Sequence, residues 1–424
     1  MRPRAAFPLG SAITVEALER DPHPHLAALR ANEPVSWVPA LGGWLVTRHD
    51  LALEVMRAPD LYTVEDERFS TARVLGPSML SLDGEMHDRH RAPFAAPFRP
   101  REVRARFARA VREECARLLD ALDATSDGAF ELRGQFAGPL AAGVLTRALG
   151  LEPEEEATVR AWYGRIVNAV DVVTAGGEVP ADGLEAYAAL AARLGRVIAG
   201  GSPDSLLAAA AVAAAAATLG RPGGLTTAEL AANAGVLLFG GIETTEAMIA
   251  NAALHLLGAP EALARVREPD GQAPGDGRAV DAQARAGGRA VDAQALAACV
   301  EESLRLEPAA AMVDRYATRA VELGGAAIAA GELVHVSLSA AGRDPAVFDD
   351  PDRFVLERPA PRRHLAFAQG PHVCLGIHLA RLEARTALAA LLERLPRLRL
   401  DPDRPAAVSG LVFRKPSELW VRYR

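Results

Sequence analysis

The stretch AANAGVLLFGGIETTEAMIANAALHLL, residues 231 to 257, constrains this chain more than any other. It follows Thr226-x-x-Glu229, a capping box that satisfies two orphan backbone donors reciprocally. No breaker other than glycine interrupts it, so the spacing predicts one helix of about thirty residues. Apolar residues fall on most of its faces. A helix with no side suited to water must run through the centre of the molecule, with other elements packed around it.

The rest of the pattern fits such a core. From Gly84 to about Leu257 the periodicity is almost entirely helical, and helix is predicted again over Leu296–Leu306 and in LARLEARTALAALLERL. Strand signals are few. VSWVPALGGWLVTR alternates around Gly42 and Gly43 after a helix over residues 22–32, and VELGGAAIAAGELVHVSLSAA reads as a short hairpin pair. Residues 62–82 lack periodicity and read as a long loop, which in a compact domain is functional or mobile. Residues 271–295 hold a tandem repeat, GRAVDAQARAG then GRAVDAQALAA, that reads as a recent duplication in an exposed loop, with disorder as the alternative. There is no β-α-β alternation. The 424 residues therefore read as a single mainly α domain with small β-sheets. A strand-bearing part covers about 1–60, a helical core about 84–310, and a Pro-rich meander with a cysteine loop 343–376.

Composition narrows the partners. A net charge of -7 and 5% aromatic residues give no basis for nucleic-acid binding. A small-molecule partner is expected instead. No run approaches the ~20 apolar residues that span a bilayer; LLAAAAVAAAAA reads as a buried helix, and no membrane anchor is expected. Three cysteines without a CxxC pair, and no secretory leader, point to a reducing compartment, the cytoplasm.

Chemistry concentrates in four places. The first is Phe367-x-x-Gly370-x-His372-x-Cys374-x-Gly376, with a helix expected just beyond. A lone thiol is a core residue, a nucleophile or a single thiolate ligand. A helix N-terminus favours the ionised form, and the glycines let the backbone close around the sulfur, so ligand is the better reading. Zinc is disfavoured for want of a second thiol. The second is Gly240-Gly241-Ile242-Glu243-Thr244-Thr245. Each mid-helix glycine costs about 1 kcal/mol relative to alanine, which room for a flat group against the helix would explain, as would close helix packing. Glu243 and Thr244 place an acid beside an alcohol, suited to moving protons. The third is Glu302-Ser303-Leu304-Arg305, one helical turn, with Arg353 expected to complete a buried charge network. The fourth is a set of scattered cations, His87, Arg91, Arg315 and His372, able to meet two carboxylates of one cofactor. Pro93 predicts that the helix carrying His87 and Arg91 ends or kinks at residue 92.

Together these motifs resemble the cytochrome P450 family, in particular its soluble bacterial members, over nearly the whole chain. The resemblance implies a monooxygenase with haem b, Cys374 as the axial thiolate, and dioxygen as co-substrate. It implies that His87, Arg91, Arg315 and His372 hold the propionates, that Phe367, Gly370, Gly376, Gly240 and Gly241 border the haem, and that Glu243 and Thr244 supply protons. Glu302, Arg305 and Arg353 would form the family's structural triad. Substrate would meet Val236, Phe239, Gly240, Ala311, Val313, Leu411 and Val412, under a roof made by the 62–82 loop and helices between 160 and 195. Electrons would come from NAD(P)H indirectly, through a ferredoxin and ferredoxin reductase docking near Arg99, Arg101, Arg104 and Arg109. The alternatives are oxidative coupling or peroxide-driven oxidation, and a non-catalytic haem-binding sensor.

Overall fold

The computed structural model describes residues 7–125, 127–174, 176–200, 204–216, 224–267 and 291–424. The long helix is present as Thr227–Gly258, 32 residues, with the capping box formed in both directions between Thr226 and Glu229. Leu230, Leu238, Phe239, Ile249 and Leu256 are all buried although they point different ways, because helices cover it on several sides. Gly138–Ala148, Ala181–Gly200, Ala293–Leu306 and Ile377–Arg394 pack on it directly. The large apolar cluster of the molecule forms around this bundle.

The main sheet draws strands from both ends of the chain. Its order is Val35–Val38, Gly43–Val46, Leu333–Ser337, Met312–Ala317, Tyr62–Thr63. The first two form the expected antiparallel pair, Val35 opposite Val46. Gly43–Val46 then pairs in parallel with Leu333–Ser337, so the strand-bearing part is not confined to residues 1–60. The 321–341 stretch gives one true hairpin, Val321–Leu323 with Ala326–Ile328, turned at Gly324 and Gly325 with φ of 54° and 82°. Its last residues, Leu338–Gly342, are helix rather than strand.

Other expectations change in detail. The 62–82 stretch is not wholly irregular: Tyr62–Thr63 joins the sheet and Ser70–Leu75 is helical. Pro93 lies inside a helix running from Gly84 to Ala95, so the helix does not end at residue 92. The first repeat copy lies outside the described residues. The second opens the helix Ala293–Leu306, earlier than Leu296, because the Asp292 carboxylate accepts from the N–H groups of Gln294 and Ala295. Among the described residues no single helix is long and apolar enough to cross a membrane.

Candidate functional site

A cavity of about 260 Å³ lies between the long helix and the cysteine loop. Its upper wall is Val236, Leu237, Gly240, Gly241 and Thr244; its lower wall is Phe367, Val373, Cys374, Leu375 and Gly376; Arg91 and His372 also face it. The two glycines differ. Gly240 is exposed in the middle of a buried helix, and a Cβ there would meet nothing within 4 Å. At Gly241 a Cβ would sit 2.5 Å from Leu145 Cδ1, so this glycine is also demanded by helix packing.

The cysteine loop is held by backbone geometry. The Cys374 N–H donates to Phe367 O at 2.9 Å, and Gly370 has φ of 74° with its Cα pressed on the helix His49–Arg57, where a Cβ would lie 2.1 Å from Met56 O. Gly370 is therefore a packing glycine that does not line the cavity. A Cβ at Gly376 would be 3.9 Å from Cys374 Sγ, an ordinary contact, so no collision around the sulfur requires glycine there. Cys374 is exposed, and its exposure is to the cavity. Burial pushes the thiol up from its ordinary value, against the N–H groups of Gly376 and Ile377 and the charges of Arg91 and Arg381. The helix start at Ile377 does aim N–H groups at the sulfur, as expected, but desolvation outweighs them in the free protein.

Of the four cations, Arg91 and His372 line the cavity, and His87 and Arg315 do not. His87 is buried with Nε2 unpartnered, and its ring lies 4.5 Å from that of His372. Burial, then the charges of His372 and Arg91, lower the His87 pKa. His372 Nε2 bonds Asp83 Oδ1 at 2.7 Å. Burial would raise the Asp83 carboxyl, but His372, Thr63 and the Val64 N–H hold it down at about 2. Arg91 donates to Val373 O at 2.6 Å. Arg315 is buried on its strand near enough to Asp83 to feel its charge, and does not line the cavity.

The acid and the alcohol part company. Thr244 faces the cavity and donates to Gly240 O. Glu243 does not line the cavity; it is bound by Lys415 and by the Tyr163 hydroxyl, which donates at 3.1 Å.

Of the expected substrate residues, Val236, Gly240 and Val313 line the cavity. Phe239 turns to Phe413, with ring centres 6.0 Å apart. The Ala311 N–H donates to Val412 O at 2.7 Å, and neither residue lines the cavity. Leu411 packs on a separate cluster with Ile13 and Leu18. Ala309 and Ala310 take their place, with Met79 and Leu80 from the long loop. The helices Glu156–Thr174 and Ala181–Gly200 contribute no lining residue.

The charge network forms with a different third member. Arg305 donates to both oxygens of Glu302 at 2.8 Å and to the carbonyls of Gly342, Pro351 and Arg353. The Arg353 side chain itself is exposed and, among the described residues, pairs with Asp350 alone. Arg358 takes the place assigned to it, with Nε on both Glu302 oxygens. Glu301, also unforeseen, takes two 2.7 Å bonds from Arg381 and one from His364, locking the helix after Cys374 to the helix of the triad.

Known proteins resemble this chain over most of its length. The sequence profile of the family described as Cytochrome P450 matches residues 204–410. The chain is 35% identical to cytochrome P450 monooxygenase PikC of Streptomyces venezuelae, over 90% of this chain and 85% of that protein. It is 33% identical to the 20-oxo-5-O-mycaminosyltylactone 23-monooxygenase of Streptomyces fradiae, over 95% and 88%. Cytochrome P450 CYP109Q5 from Chondromyces apiculatus superposes with a TM-score of 0.80 at 28% identity, covering 97% of this chain and 98% of that one.

Proposed function

Because the chain belongs to the cytochrome P450 family, we propose that it inserts one oxygen atom of O2 into a mostly apolar small molecule of secondary metabolism or catabolism, by hydroxylation or epoxidation. It is a monooxygenase, and the family uses haem and dioxygen with separate redox partners and small-molecule substrates. The observation that carries the reading is the opposition across one cavity of the open Cys374 thiol and the open Gly240–Thr244 face of the long helix.

The residues fit the cofactor. A flat group with an apolar body and an anionic edge suits a slot with Phe367, Leu375 and Gly240 on its faces and Arg91 and His372 beside it. The unpartnered Nε2 of His87 and the Arg91 guanidinium nearby leave donors there for an anion. Cys374 would ligate haem b, with Arg91, His87, His372 and Arg315 toward its propionates. When bound, the haem supplies the redox-active iron at which dioxygen is activated. The protein's part is to hold, exclude and deliver. Thr244 Oγ1 presents a hydroxyl that donates to Gly240 O and can rotate to donate into the cavity instead. Val236, Val313, Ala309 and Ala310 exclude water and select an apolar substrate body.

Electrons would come from NAD(P)H through a ferredoxin and its reductase. Arg99, Arg101, Arg104 and Arg109 are exposed, which supports docking of an acidic partner. Arg104, Arg362 and Arg381 add positive charge around His378 and Arg385, where burial and these neighbours lower both pKa values. Three free cysteines are consistent with a cytoplasmic site.

The test is the absorption spectrum of the purified protein, reduced with dithionite under carbon monoxide. A strongly red-shifted Soret band is expected. An unshifted band would overturn thiolate ligation by Cys374, and absence of any haem band would overturn the assignment of the cavity.

A further inference from the structure

Lys415 is the one lysine of the chain. The fold brings it from the C-terminal hairpin, Val408–Ser409 with Lys415–Pro416, to the face of the long helix that turns away from the cavity. Its Nζ donates to Glu243 and, at 2.9 Å, to Glu246 Oε1, with all three side chains mostly buried. Arg133 Nε lies 2.9 Å from the same Glu246 oxygen, and Tyr163 donates to the other oxygen of Glu243. Asp171 completes the surroundings: burial, then the charge of Glu243, raises its carboxyl. Among the described residues three carboxylates and a phenol thus share two cations, and Lys415 is the one that touches both helix glutamates.

The same hairpin also touches the cavity wall. Two residues before Lys415, Phe413 packs edge-on against Phe239 and forms a bridge to Ala310, a lining residue. The Arg414 N–H donates to the carbonyl of Ala309, another lining residue, at 3.0 Å. The fully buried Arg414 side chain anchors this segment through Glu307 and the carbonyls of Leu18, Glu19 and Gly410. The backbone leading into Lys415 is thus tied to the cavity wall through Phe413 and Arg414.

We propose that Lys415 is a positioning residue that holds Glu243 out of the cavity, and that pressure on the Ala309–Ala310 wall, passed through Phe413, sets how firmly it holds. The inference rests on the monooxygenase reading of the same site. No group need be gained or lost by Lys415. What changes is whether the Glu243 carboxylate stays on the ammonium or turns toward Thr244, so that proton supply follows occupancy of the cavity.

A lone lysine makes the test clean. Acetic anhydride modifies Lys415 and the chain's N-terminus, which intact-mass and peptide mass spectrometry separate. In the haem-loaded protein the amine should react slowly; Glu243→Gln should raise the rate severalfold. 4-Phenylimidazole, a bulky apolar probe, should change the wild-type rate severalfold and should leave the rate of Phe413→Leu unchanged. Equal rates in wild type and E243Q, no effect of the probe on wild type, or the same probe effect in F413L would each overturn the proposal. With a substrate found by spin-state shift, Lys415→Met should erase the difference in peroxide released per NAD(P)H between substrate-free and substrate-saturated protein while leaving the substrate dissociation constant unchanged, and Lys415→Arg should restore that coupling to occupancy. A loss of substrate affinity in step with coupling would show a merely structural lysine. The carbon monoxide spectrum of the same samples separates the two failures: a normal band with uniform acetylation overturns the role of Lys415 alone, and an unshifted wild-type band overturns the reading of the site.

Discussion

Arg358 Nε donates to both carboxylate oxygens of Glu302, at 3.0 and 3.1 Å, where both side chains are almost completely buried. With Arg305 on the same carboxylate, two guanidiniums neutralise one buried anion and tie the meander to the helix Ala293–Leu306. Removing one partner of such a set leaves charge without compensation, at a cost of about 3–5 kcal/mol. Arg358→Ala is therefore expected to lose a large part of the fold's stability and its recovery in haem-loaded form. Arg353→Ala, which removes a side chain 75% exposed and paired only at 3.5 Å to Asp350, should change stability by less than about 0.5 kcal/mol. Urea unfolding of the two variants checks this; equal losses would contradict the assignment of Arg358.

The paired glycines of the long helix should separate in the same way. Gly240→Ala places a methyl in open space and removes a flexible residue from a helix interior, a gain of up to about 1 kcal/mol. Gly241→Ala drives a methyl to within 2.5 Å of Leu145 Cδ1, so the helix Gly138–Ala148 must shift or Leu145 must repack. Overpacking of this kind costs typically 1–3 kcal/mol. Thermal melting should rise or hold for the first variant and fall for the second.

What was legible in the sequence follows from how local each signal is. The long helix could be read because its cap lies within four residues and its apolar faces all lie on one continuous segment. The cysteine loop could be read because its glycines, histidine and thiol are neighbours in sequence. Nothing local distinguishes Arg353 from Arg358, two arginines of an irregular meander; the choice depends on the path of the backbone, which carries the Arg353 carbonyl, not its side chain, to Arg305. The orientation of Glu243 is fixed by a lysine 172 positions further on, and no spacing rule reaches that far. The same holds for Leu411 and Val412, whose contacts depend on how the C-terminal segment folds back over the N-terminal helices.

Thr244 and Thr245 both line the cavity from the long helix, and Thr244 is the one whose hydroxyl donates to the Gly240 carbonyl. Thr244→Ala removes the hydroxyl without disturbing the packing on the far side of the helix. Electron consumption should continue while product falls several-fold and hydrogen peroxide rises to match; Thr244→Ser should recover much of the product. The check is NAD(P)H, product and peroxide measured in one reaction. Unchanged stoichiometry in T244A would remove Thr244 from the proton route.

Glu383 supplies the pH dependence. It lies on the helix that follows Cys374, lines the inner end of the cavity, and is buried with Oε2 unpartnered. Burial raises its carboxyl well above the ordinary 4.5. The folded chain thus keeps a proton on Glu383 that the unfolded chain releases, so the stability this group contributes is full below about pH 4.5 and falls as pH rises toward the folded value. Within that window the loss is about 1.4 kcal/mol per pH unit for one proton. Glu383→Gln cannot ionise and should lack this slope, so its stability relative to wild type should improve steadily between pH 5 and the folded pKa, whatever the constant cost of the amide. Denaturant midpoints for both proteins, measured at half-unit steps from pH 5 to 8, decide it. Parallel curves would mean that Glu383 is ionised in the folded chain and has found a counter-charge.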